Sequence, residues 1–177
     1  MRFDISCTIA LVAFALAGPG EISYDYEIEQ MNKVNDAFTS LGKAIVDFRR
    51  GDSGWPAVLR QSTSVVKVIV SAAVVPTGEK PADPPTEEKQ EEAFAVADKL
   101  VSTMKSAIQA VVAAKPTVDK VPFGNKAVST MFRGAIAATK VFSGVLVDNT
   151  MPDKLERAKR LASEAMTSLE DGRAAFQ

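Results

Sequence analysis

Apolar residues along this chain recur at spacings of three and four, the period of a helix that buries one side. In the first such segment Ile28, Met31, Val34, Phe38, Leu41, Ile45 and Phe48 form one stripe, which ends at Gly51-Asp52-Ser53-Gly54. A second segment opens at Trp55-Pro56 and carries Val58, Leu59, Val65, Val66, Ile69, Val70 and Ala73. Its valines alone would favour a strand. The spacing, with polar interruptions at Ser62, Lys67 and Ser71, favours a helix. A third stripe runs through Phe94, Ala97, Leu100, Val101, Met104, Ile108, Val111 and Val112, until Lys115-Pro116 interrupts it. Val118, Val121 and Phe123 then lead to Gly124-Asn125. A fourth stripe holds Val128, Met131, Phe132, Ala135, Ile136, Phe142, Val145 and Leu146. The last holds Leu155, Ala158, Leu161, Ala162, Ala165, Met166, Leu169 and Phe176.

Helix-start signals fit this division. Thr86 is placed to cap the third helix, with Glu87 and Glu88 at the positive end of its dipole. Thr150, followed by Pro152 and Asp153, reads as the cap of the last helix. Between the second and third helices, residues 76–92 are rich in proline (Pro76, Pro81, Pro84, Pro85) and predict a long loop. That loop is either a solvated spacer or a lid over one end, where Lys80, Lys89 or a helix N-terminus would meet a carboxylate head group. The expected fold is all-α: one domain, an antiparallel bundle of about five amphipathic helices without strands.

The first 17 residues form a different pattern. Met1-Arg2 precedes an apolar run from Cys7 to Leu16, and Ala15-Leu16-Ala17 is a small-x-small cleavage pattern. Residues 1–17 therefore read as an export signal and 18–177 as the mature domain. The run is shorter than the roughly 20 residues a membrane span needs. No later segment is expected to span either, and no anchoring tail is expected. The protein is expected to be secreted.

Composition then narrows the chemistry. The chain has no histidine, and its one cysteine, Cys7, lies inside the signal. The mature domain can form neither a disulfide nor a Ser-His-Asp or Cys-His site, and it lacks the usual zinc ligands. Glu87-Glu88 and Glu91-Glu92 suit a helix start better than a pair of catalytic carboxylates, and Gly51-Asp52-Ser53-Gly54 is too poor in acids for calcium. Twenty-two acids against 21 bases give a net charge of −1, no footprint for nucleic acid. The densest basic stretch, Lys154, Arg157, Lys159 and Arg160, reads as a solvated helix face with Glu156 paired to Arg160. No enzyme activity, metal or cofactor is expected.

The order of features resembles the fungal hydrophobic surface binding protein A family, also called the cell wall galactomannoprotein family. The resemblance spans about Val34 to Phe176. It rests on Ile45-Val46-Asp47-Phe48 closing the first helix and on Leu100-Val101-Ser102-Thr103-Met104 leading to Ala113-Ala114-Lys115-Pro116. An Ala-rich helix and the ending Gly172-Arg173-Ala174-Ala175-Phe176 complete it. The resemblance implies a secreted or wall-associated helical protein. It implies adsorption to hydrophobic surfaces, recruitment of a secreted esterase there, or binding of lipids such as fatty acids. The proline-rich loop departs from the family pattern.

The stripes themselves allow two readings: a filled core, or a cavity for an acyl chain. Burial is worth about 0.8 kcal/mol per methylene, so a chain of roughly 16 carbons gains on the order of 10 kcal/mol before entropy is subtracted. Such a site needs no polar motif. The candidate lining is Phe38, Leu41, Phe48, Val66, Ile69, Leu100, Met104, Ile108, Met131, Phe132, Phe142, Leu161 and Met166. Trp55 either caps the end of the core or stands out as an anchor. The other function in view is a structural or interaction protein of the cell wall with a filled core and no ligand.

Overall fold

A computed structural model describes residues 24–73 and 86–177. The expected export signal, residues 1–17, and most of the proline-rich loop lie outside the described residues. Five long helices form: α1 (Tyr24–Arg50), α2 (Trp55–Ala72), α3 (Glu87–Ala113), α5 (Gly124–Asp148) and α6 (Leu155–Ala174). A single turn, α4 (Lys115–Val118), and a 3-10 turn (Pro152–Lys154) sit in the connections. No strand occurs among the described residues, as the helical spacing predicts.

The helix ends follow local chemistry. Gly51 has φ +83, and Asp52 N–H donates to the Asp47 carbonyl at 2.9 Å while Gly51 N–H donates to that of Phe48. This is the left-handed glycine ending of a helix, which satisfies its last carbonyls. Thr86 caps α3 by accepting from Lys89 N–H at 3.3 Å. The start of α6 differs from the sequence expectation. Thr150 donates back to the Leu146 carbonyl at 2.8 Å, so its hydroxyl serves the end of α5 rather than the start of α6. Pro116 sits in the first turn of α4, where its missing N–H is harmless, so the interruption is a kinked junction and not an open loop.

Packing closes a ring. The main pairings run α1–α2, α2–α5, α5–α6, α6–α3 and α3–α1. The helices joined by tight connections, α1–α2 and α5–α6, are antiparallel. Arg157 reaching Glu91 and Gly172 meeting Ile108 set α3 and α6 in the same direction. The N-termini of α1, α3 and α6 thus share one end of the ring with the C-terminus of α5, hereafter the upper end. A row of apolar side chains faces the axis from each helix, including Met31, Val34, Phe38, Ile69, Met104, Phe142 and Leu169, all buried.

At the lower end the ring is plugged. Trp55 is half-buried with its ring 5.5 Å from that of Phe48, which places it as a cap on the core. Gly172 lets α6 approach closely: a Cβ there would stand 2.7 Å from Ile108 and Phe132. By length and composition alone α5 qualifies as a membrane span, contrary to the sequence expectation. In the bundle its apolar row Val128, Phe132, Ala135, Ala138 and Phe142 is buried against its neighbours.

The basic stretch of α6 is more than a solvated face. Arg157 donates to Glu91 and Asp98 of α3, both at 2.9 Å, and Lys154 donates to Glu91 at 2.6 Å. The expected Glu156–Arg160 pair is replaced: Glu156 takes Lys159, and Arg160 leans on Glu164.

Candidate functional site

The upper half of the ring is hollow. A cavity of about 90 Å³ lies within an atom-free envelope of about 780 Å³ that extends to its mouth. The envelope includes open solvent; the cavity itself is well below the roughly 300–1,000 Å³ typical of small-molecule pockets, so a long acyl chain needs the walls to move. All five long helices line it. Small residues leave the space open: Ala93 and Ala97 on α3, and Ala158, Ala162 and Ala165 on α6. Apolar side chains form most of the wall, and in such a wall transfer of hydrocarbon from water is the available driving force.

Hydroxyls of Thr139, Ser143 and Thr150 dot the α5 side of the wall, and the larger polar groups stand at the upper end. Tyr24, Glu27 and Gln90 line the cavity there. Asn149, after the last residue of α5, donates from its side chain to Glu27 Oε1 at 2.6 Å and accepts the Tyr24 hydroxyl proton on its backbone carbonyl at 3.1 Å. Gln90 Nε2 donates to the Tyr24 oxygen at 3.0 Å. Gln90 is 1% exposed, and among the described residues its Oε1 has no hydrogen-bond partner. Glu27 is 4% exposed. Burial pushes its carboxyl up to about 8, against the lowering effect of Asn149. The Tyr24 hydroxyl is also raised, by burial and then by the charge of Glu27. At neutral pH the upper wall is therefore predominantly uncharged.

A second, smaller space of about 30 Å³, in an envelope of about 380 Å³, lies below the first. Phe38 borders both. Its wall is made by Leu41, Ser62, Val65, Val66, Ile108, Val111, Met131, Phe132, Ala135 and Leu169.

Eleven of the thirteen residues predicted from the sequence divide between these spaces. Phe38, Ile69, Leu100, Met104, Phe142 and Leu161 line the upper cavity. Leu41, Val66, Ile108, Met131 and Phe132 line the lower one, with Phe38 shared. Phe48 lines neither and stacks on Trp55. Met166 lines neither; it is half-buried, one position off the buried row Leu161–Ala165–Leu169. Lys89 does not enter the cavity, because its ammonium is held outside by Asp25 at 2.7 Å and Glu92 at 3.1 Å. Lys80 lies outside the described residues.

The polar cluster escaped the sequence reading, although a signal for it exists. Glu27 is in phase with Met31, Val34 and Phe38, and Gln90 is in phase with Phe94, Ala97 and Val101. A polar residue on an apolar stripe is buried by the same geometry as its neighbours.

No family model matches the chain, and no curated protein matches it. Solved structures do share its fold. Ligand binding domain 2 of the Penicillium marneffei MP1 protein, complexed with multiple arachidonic acids, has a TM-score of 0.72 at 15% identity, covering 88% of this chain and 97% of that one. Ligand binding domain 1 of the same protein, also with arachidonic acids, has a TM-score of 0.69 at 12% identity, covering 84% and 95%. A further structure of domain 2 gives 0.65 at 18% identity, covering 84% and 92%. This chain is thus similar in fold, along nearly its whole described length, to ligand-binding domains.

Proposed function

We propose that this protein is a secreted, non-enzymatic lipid binder that holds a fatty-acid-like molecule in the upper cavity of the ring. The observation that carries the reading is the cavity itself: all five long helices contribute to an apolar wall with one polar end. The shared fold with domains solved in complex with arachidonic acids supports it. So does the family resemblance in the sequence, which we take as kinship with hydrophobic surface binding and galactomannoprotein chains. The guest's tail lies along Phe38, Leu100, Met104, Phe142 and Leu161, and methionine and alanine allow the wall to adapt. The cavity of about 90 Å³ is smaller than a long acyl chain needs, so uptake involves side-chain movement along the wall.

Native mass spectrometry tests this. Protein unfolded, stripped of lipid and refolded should acquire the mass of added arachidonic acid. A mass unchanged at excess ligand defeats the reading and favours a structural wall protein with no ligand.

A second reading, adsorption to an apolar surface with recruitment of an esterase, draws on one observation. Phe123 is 84% exposed, its backbone at φ 60 at the α4–α5 corner. Replacement of Phe123 by Ser should then reduce depletion of the protein over a hydrophobic polymer. Equal depletion of both forms removes Phe123 as the anchor.

A further inference from the structure

The polar end of the cavity constrains what kind of lipid fits. A carboxylate buried in an apolar wall needs a cation or several donors to replace its lost hydration. Among the described residues, no lysine or arginine lines the upper cavity. The cations at this end are drawn outward. Lys89 on α3 pairs with Asp25 and Glu92, Lys154 on the 3-10 turn with Glu91, and Arg157 on α6 with Glu91 and Asp98. The groups that face Glu27 are Tyr24 on its own helix, Gln90 on α3 and Asn149 beyond α5, while Asp153 on the 3-10 turn acts at Tyr24. Of the donors in the wall, the hydroxyls of Tyr24, Ser143 and Thr150 are already given to backbone carbonyls, which leaves Thr139 and the protonated Glu27 carboxyl, too few to replace the hydration of a carboxylate; beside them Gln90 Oε1 is a buried acceptor with no partner among the described residues. A buried acceptor without a donor is unfavourable, and a guest with an O–H relieves it.

We propose, resting on the lipid-binding reading above, that the cavity takes its guest with an uncharged, hydrogen-donating head group. That guest is a long-chain alcohol or a fatty acid in protonated form, seated with its O–H on Gln90 Oε1. A fatty acid binds as the neutral species and leaves its proton in place. Ionised acid meets no cation in the wall at neutral pH. At higher pH it also meets the ionised Glu27 carboxylate, whose burial pushes it up to about 8. The alcohol has no such restriction.

Equilibrium dialysis with arachidonic acid, the corresponding alcohol and the methyl ester separates the cases, with folding checked by circular dichroism at each pH. Between pH 5 and pH 7 the acid should weaken by up to roughly tenfold per pH unit as its neutral fraction falls. The alcohol should change less than twofold. The methyl ester, which accepts but cannot donate, should bind roughly tenfold more weakly than the alcohol at both pH values. Gln90→Leu should bring the alcohol down to the level of the ester and leave the ester unchanged; should that variant not fold, the ligand series on the unaltered protein still decides. Acid affinity equal at pH 5 and pH 7, or ester affinity equal to that of the alcohol, overturns the proposal. Failure of all three ligands to bind overturns the lipid-binding reading itself, and this one with it.

Discussion

The two halves of the ring use the same five helices, yet the upper half is hollow and the lower half nearly closed. The upper cavity measures about 90 Å³ and the lower space about 30 Å³. Both spaces are lined by large side chains, Phe94, Met104 and Phe142 above and Met131, Phe132 and Leu169 below; the alanines at 93, 97, 158, 162 and 165 face the upper one, and Ser62 and Ala135 the lower. In the lower half Gly172 brings α6 against Ile108 and Phe132, which packing density near that of a crystal would require. A fold can thus keep its stability in one half and reserve the other for a guest.

The largest effects should come from the packed half. Leu169 is 1% exposed. Leu169→Ala should lower unfolding free energy by about 2–5 kcal/mol in urea denaturation, from lost transfer energy and the cavity left behind. A loss below 1 kcal/mol would mean that the lower half is as loose as the upper.

Glu27 provides the next test. Its folded value of about 8 lies above the ordinary 4.5, so the folded state holds a proton that the unfolded chain releases. Stability is full below about pH 4.5 and declines as pH rises towards 8 and through it. The decline at this one group is on the order of 5 kcal/mol, from roughly 1.4 kcal/mol per pH unit. Glu27→Gln should flatten the profile across that window, measured as urea midpoints from pH 5 to 8.5. An unchanged slope would show that the upper end is wet.

Overfilling separates the halves directly. Gly172→Leu should destabilise by about 1–3 kcal/mol, because its side chain has nowhere to go. Ala165→Leu extends into the upper cavity and should shift stability by less than about 1 kcal/mol. An effect of about 1 kcal/mol, smaller than that of Gly172→Leu, is expected for Tyr24→Phe, which removes the hydroxyl shared with Asn149 and Gln90. Arg157→Ala should be smallest: its guanidinium stands 4.4 Å over the Phe94 ring, a contact worth about 0.5–1 kcal/mol, and its ion pairs are solvated. Thermal unfolding would rank these last two.

The sequence showed the helices and most of the core, because a stripe at helical spacing records which side of each helix is buried. Phe38, Met104 and Phe142 are read correctly as core on that ground alone. It could not show which core positions face a void. That depends on how far apart the helices stand, which is set by residues on other helices, such as Gly172 below and the alanines above. Phe48 and Met166 share the stripes but not the cavity, since one lies at the plugged end and the other beside the buried row. Thr150 misled because a hydroxyl between two helices can serve either one. Glu27 and Gln90 were hidden in acidic, polar stretches at helix starts, where charge usually means exposure. Their phase with Phe38 and Phe94 was the legible sign.

The central claim is that the upper half is a site and the lower half a core. Calorimetric titration of arachidonic acid at pH 5 into the unaltered protein and into Ala165→Leu tests it most directly. The first should bind saturably and the second at least tenfold more weakly, with the unfolding midpoint of the variant preserved. Equal binding by both proteins would contradict it.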